Sequence, residues 1–193
     1  MTLLIAGLLL FLGTHSVRIF ADDWRSGMVR RLGENRYKGL YSLLSVAGFV
    51  LLIYGFGAAR MTPTVLWASP TWTRHLAALL TLPAFVLLVA AYVPGNQIKA
   101  RLHHPMILGV KTWALAHLLA NNTLADLLLF GGFLAWAVLA FIAARKRDRA
   151  GPVVYAPGRL GPTLVTVAVG LVAWAAFAMW AHAAWIGVRP FGG

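Results

Sequence analysis

Six histidines, five acidic residues and no cysteine bound the chemistry open to this 193-residue chain. The missing thiols exclude disulfides, cysteine nucleophiles and thiolate metal ligands. Five carboxylates in the whole chain leave almost nothing for a paired-carboxylate mechanism. There is no H-E-x-x-H, no phosphate-binding glycine loop and no G-x-S-x-G. Imidazoles and cations remain. His15 and Arg18 are three apart, so they share a helix face. Asp22 is four beyond Arg18 and is placed to pair with it. His103 and His104 precede Pro105, which suits the first turn of a helix. Lys111 follows His104 by seven steps of about 100°, which return nearly to the same face. His104, Leu108 and Lys111 therefore make one stripe.

Two neutral imidazoles at one depth can hold a haem iron from both sides. His15 and His104 are placed for this on helices that can face each other. Arg18 and Lys111 would meet the propionates by charge pairing. The same residues also read as interfacial groups bonded to backbone and water, their long cations snorkelling. Further along, Asn121 and Asn122 suit a tight antiparallel hairpin. That hairpin sets His117 level with Asp126. A carboxylate beside an imidazole fixes its tautomer, as around a bound metal. It serves equally as a structural hydrogen bond between two costly groups. His182 is placed to join them, whereas His75 reads as interfacial.

The elements that must position these groups are apolar. Hydrophobic residues make up 60% of the chain and charged residues 11%, against about 25% charged in a soluble domain. In water such a chain would expose large apolar patches. Six apolar runs are marked, at 2–20, 37–59, 74–93, 105–120, 122–144 and 161–187. A spanning helix needs about 17–25 residues. The fold expected is an all-α polytopic membrane helical bundle of about six transmembrane helices in one domain, 1–193. The run 105–120 is short and must tilt little, thin the bilayer or stop below the surface. In lipid the few ionisable groups mark function by default. Pro83 should bend the third run. Gly48, Gly55, Gly131 and Gly132 should let helices approach closely. Trp24, Met28 and Leu32 recur every four residues, as in an amphipathic interfacial helix. Trp67 and Trp72 suit an aromatic belt.

The net charge of +12 raises nucleic acid as a partner. The charges lie in short segments between apolar runs, which argues against nucleic acid and for anionic lipid. One side holds Arg18, Arg25, Arg30, Arg31, Arg36, Lys38, Lys99, Arg101, Arg145, Lys146, Arg147, Arg149 and Arg159. The other holds Arg60, Arg74 and Arg189. The crowded side should be cytoplasmic, which puts both termini in the periplasm of a bacterium. The N-terminal run lacks a basic leader and a small-residue cleavage site, and reads as a retained helix.

The stretch from His104-Pro105-Met106 through Lys111-Thr112-Trp113 to His117-Leu118-Leu119-Ala120-Asn121 resembles the signature of the NnrU family. Leu12-Gly13-Thr14-His15-Ser16-Val17-Arg18 and Arg31-Leu32-Gly33-Glu34-Asn35-Arg36-Tyr37-Lys38-Gly39 fit the same pattern. The similarity runs over nearly the whole chain. It implies a multi-pass inner-membrane protein linked to nitrite and nitric oxide reduction in denitrifying bacteria. The family is also similar to zeta-carotene isomerase, a haem-b enzyme whose histidines ligate the iron. His15, His104 and His117 fall in the shared motifs. The resemblance thus implies haem b, with redox or isomerase chemistry on a lipophilic small molecule. The isomerase can also ligate through cysteine, which this chain lacks. Two other readings stand beside this one. The first is a non-enzymatic accessory protein that assembles reductase components. The second is a membrane methyltransferase of the isoprenylcysteine type, to which His103-His104-Pro105 is similar.

Overall fold

Breaks in the apolar runs set the elements. A computed structural model describes residues 1–151 and 153–191. Helix α1 (Thr2–Phe20) stops at Ala21, which leaves helical geometry at φ −141°, ψ 46°. Helix α2 (Asp22–Leu32) opens on Asp22 and Asp23 and closes on Arg30 and Arg31, charges that complement its dipole. Gly33, at φ 80°, then turns the chain as only glycine does cheaply. Next come α3 (Glu34–Met61), α4 (Trp72–Tyr92), α5 (Gln97–Leu102) and α6 (Pro105–Ala120). Helix α7 (Leu124–Ala150) starts in a capping box between Thr123 and Asp126. Helix α8 (Leu160–Ala176) runs through a π-helical turn, Phe177–Ala181, into α9 (His182–Ile186).

Helices α1, α3, α4, α7 and the continuous Leu160–Ile186 are long and apolar enough to span a membrane. The sixteen residues of α6 rise about 24 Å, less than the roughly 30 Å hydrocarbon core. The chain is thus a polytopic helical bundle, as its apolar runs predict. Among the described residues no strand forms; Val65–Thr123 and Asn96–Arg159 make only isolated bridges. Helix α2 forms where the four-residue period of Trp24, Met28 and Leu32 places it, and Trp24 is exposed. Helix α4 continues through Pro83.

The neighbour order is α3, α1, α7, α6, α4, α8. Small residues set it. A Cβ on Gly48 would lie 2.7 Å from the Phe11 nitrogen, and one on Gly7 would lie 2.6 Å from the Leu52 nitrogen. Gly55 presses equally on the Leu4 backbone. Helices α1 and α3 therefore touch backbone to backbone. Leu4, Leu52, Ala59 and Ala125 form the buried cluster beside this contact. Gly170 fits the Val86 backbone and Gly109 the Ala84 carbonyl, which joins α8 and α6 to α4. Gly131 and Gly132 do not act this way. Gly132 only reaches the Leu8 and Leu12 side chains at ordinary contact distance, and Gly131 meets only Leu127 of its own helix. Outward, large apolar side chains stay bare: Leu9 is 72% exposed and Val172 69%. Buried water-facing packing would not leave them so; lipid contact does.

Candidate functional site

The ionisable residues gather at three places, and the helix breaks decide which. At the basic end, Ala21 interrupts the helix between Arg18 and Asp22, so the four-residue spacing no longer aligns their side chains. Asp22 pairs with Arg25 instead, at 3.7 Å. Arg18 faces a cavity of about 370 Å³ between α1, α2, α3 and α7, with His15, Arg25, Lys38, Tyr41 and Trp136 in its wall. His15 donates Nδ1–H to the Phe11 carbonyl at 2.7 Å. That bond orients the ring and leaves Nε2 free of the backbone.

His104 does not join His15. It is the residue before α6 and has non-helical φ −120°, ψ 56°, so the stripe through Leu108 and Lys111 does not extend to it. Its Nε2 donates to Asp148 Oδ2 at 2.8 Å. The expected His15–His104 pairing around one iron is therefore not what this geometry offers. Asp148 is the centre of a second cluster. Tyr155 donates its hydroxyl to Oδ1 at 3.2 Å, and Arg145 lies 3.6 Å from Oδ2. Arg145 also donates to His103 Nδ1 at 2.7 Å, and the His103 ring stacks on Tyr155 at 3.8 Å. Burial, and next the Asp148 carboxylate, push the Tyr155 phenol above its usual range. His103 is the one described non-glycine residue at positive φ, 65°, a strained geometry held by these contacts. The Lys111 side chain makes no hydrogen bond among the described residues and lines neither of the two cavities described.

The sequence reading missed Asp148, Tyr155, Arg145 and His103 as partners. The apolar run ends at 144 because charge begins there; the helix continues to Ala150. One acid among Arg145, Lys146, Arg147 and Arg149 reads as solvated. The only available signal was the His103-His104 doublet before Pro105, which needs a counterion if it is tucked in.

At the opposite end, α6 and α7 form the expected hairpin, but Asp126 does not bond His117. Its Oδ2 accepts from the Thr123 nitrogen at 3.1 Å and from the Thr123 hydroxyl at 2.6 Å. Capping the orphan donors of α7 uses the carboxylate. His117 donates Nδ1–H to the Trp113 carbonyl at 2.9 Å and stacks on Phe130 at 4.6 Å. His182 lies immediately after the π turn and donates Nδ1–H to the Val188 carbonyl at 2.7 Å. Both rings line one cavity of about 300 Å³ between α4, α6 and α8. Arg74, Arg189, Trp113, Trp174 and Phe177 share that wall. Trp174 donates to the Thr81 hydroxyl at 3.1 Å. His75 is exposed, as an interfacial residue should be.

Each of these two imidazoles has one nitrogen anchored to a backbone carbonyl and the other unspent. That is the donor pattern by which histidines hold a metal. Aromatic walls suit a flat macrocycle, and two guanidiniums suit carboxylate side arms. The residues at this end therefore offer a donor set of the kind haem b needs, whereas His104 spends its Nε2 on Asp148. Among the described residues no group of three or more ligating side chains gathers, so a metal ion held by protein groups alone has no cage there.

The model of the family described as NnrU protein matches residues 3–190. No curated protein and no solved structure matches the chain.

Proposed function

The chain belongs to the NnrU family, and from that premise we propose that it is a membrane haem-b protein whose iron His117 would hold. The observation that carries this is the shared cavity of His117 and His182, each with Nδ1 tied to a carbonyl. The anchoring bonds hold both rings in the tautomer whose Nε2 accepts. His182 would be the second residue to hold it. Arg74 and Arg189 would hold the acidic arms of the haem, and Trp113, Trp174 and Phe177 would exclude water from it. When bound, haem b supplies an iron that exchanges one electron or binds a small ligand. The resemblance directs that chemistry to nitrite and nitric oxide metabolism, or to isomerising a lipophilic molecule. A cavity opening within an apolar bundle admits either class.

The test is an absorbance spectrum of protein purified in detergent from cells supplied with haem. A Soret band is expected near 400 nm. His117→Ala and His182→Ala should each lose it, while His104→Ala and His15→Ala should keep it. A colourless parent protein, or an unchanged band in His117→Ala, would overturn the proposal.

A further inference from the structure

The cavity at the basic end has a chemistry of its own. Its wall carries three cations, Arg18, Arg25 and Lys38, against one carboxylate, Glu34. Lys38 lies 2.6 Å from Glu34 and neutralises it. Arg25 is shared between Asp22 at 3.7 Å and the face of Tyr37 at 5.7 Å. Arg18 has no side-chain partner among the described residues. The wall also holds an unsatisfied donor. Trp136 Nε1 is buried and finds no acceptor. Indole N–H can only donate, and a buried donor left unpaired costs about 1–3 kcal/mol. An unpaired guanidinium and an orphaned N–H around one void call for an anionic acceptor.

Independently of the haem reading, we propose that this cavity binds the phosphate head of an anionic amphiphile. Arg18 presents a planar fork that matches phosphate oxygens. Trp136 supplies the neutral donor at the depth of the void. His15 sharpens the ligand class. Its Nδ1–H is committed to the Phe11 carbonyl at 2.7 Å, which leaves Nε2 as the ring's remaining polar atom. A head group with an O–H beside its phosphate, as a glycerol phosphodiester or a phosphomonoester has, gives that nitrogen a partner. The site lies beside α2; Trp24 of that helix and Phe20 at the end of α1 are largely exposed and apolar. That surface suits a ligand with an acyl tail, its head held under the interfacial helix. Basic pockets between helices at this level are a recognised form of lipid site.

Native mass spectrometry of the full chain in detergent tests this. The protein is titrated with phosphatidylglycerol, phosphatidylcholine and glycerol 3-phosphate. One phosphatidylglycerol per chain should be retained, and phosphatidylcholine should not. Arg18→Gln and Trp136→Phe should each weaken retention about tenfold, with Lys38→Gln used in place of either if it does not fold. Arg149→Gln, an exposed cation at the same end, should leave it unchanged. Displacement of the lipid by glycerol 3-phosphate would identify a soluble phosphate ester as the source of the same head group. Equal retention of phosphatidylcholine, or cavity variants that bind phosphatidylglycerol like the parent, would overturn the proposal.

Discussion

Asp148 shows how much one carboxylate can organise in a chain with five acids. It accepts from His104 at 2.8 Å and from Tyr155 at 3.2 Å, with Arg145 at 3.6 Å. Its side chain is only 14% exposed, so the partners are not simply exchanging it for water. Removing the acceptor leaves the His104 and Tyr155 donors without a partner. Asp148→Ala should therefore lower the thermal unfolding midpoint in detergent, and His104→Ala should lower it less. Groups in one network couple by about 0.5–3 kcal/mol. A double variant whose loss equals the two single losses added would show that the bond contributes nothing. The residue scale is also where the sequence was least legible. His15, Arg18, His104, Lys111, His117 and Asp126 stand out in the sequence as groups that are costly in lipid, but their partners do not follow from spacing. Ala21 separates Arg18 from Asp22, Thr123 takes Asp126, and Asp148 takes His104. Each partner depends on a cap or a break, where helical periodicity stops being a guide.

Periodicity is a better guide within the helices. Expected and observed limits of α6 coincide at 105–120, because Pro105 and the asparagines mark both ends. The limits of α7 do not, since charged residues continue a helix beyond its apolar part. The π turn at Phe177–Ala181 has no marker residue, yet it turns His182 into the cavity. Such wide turns are frequent at functional sites. Glycines were only half legible. Any helical glycine in lipid suggests close approach, but only the three-dimensional neighbours separate Gly48 from Gly131. This distinction gives opposite predictions for one kind of substitution. A methyl group on Gly48 would strike the Phe11 backbone, so Gly48→Ala should cost about 1–3 kcal/mol through overpacking. Gly57, also in α3, has nothing within 4 Å of where its Cβ would be. There Ala gains up to about 1 kcal/mol of helix propensity. Thermal unfolding should move down for Gly48→Ala and stay or rise for Gly57→Ala. Equal shifts would mean that α1 and α3 are not in backbone contact.

For the whole molecule, charge sets orientation. Both cavities are lined by cations, but they lie at opposite ends of the bundle, and the ends differ sharply in Lys and Arg. Chain ends and loops alternate sides through α1, α3, α4, α6, α7 and α8, so one loop fixed in place fixes all of them. Arg149 lies with the crowded side and Thr71 with the sparse one, and both are exposed. Retention of Lys and Arg on the cytoplasmic side predicts that Thr71 faces the periplasm. The absence of cysteine makes this testable without background. In spheroplasts, Thr71→Cys should react with a membrane-impermeant maleimide, and Arg149→Cys should react only after lysis. The reverse labelling would invert the molecule. It would place the His117 cavity toward the cytoplasm and the Arg18 cavity on the outer leaflet, away from the more anionic inner surface. The proposed headgroup site would then lose its leaflet argument, while the haem proposal, which rests on the His117 and His182 cavity, would be unaffected.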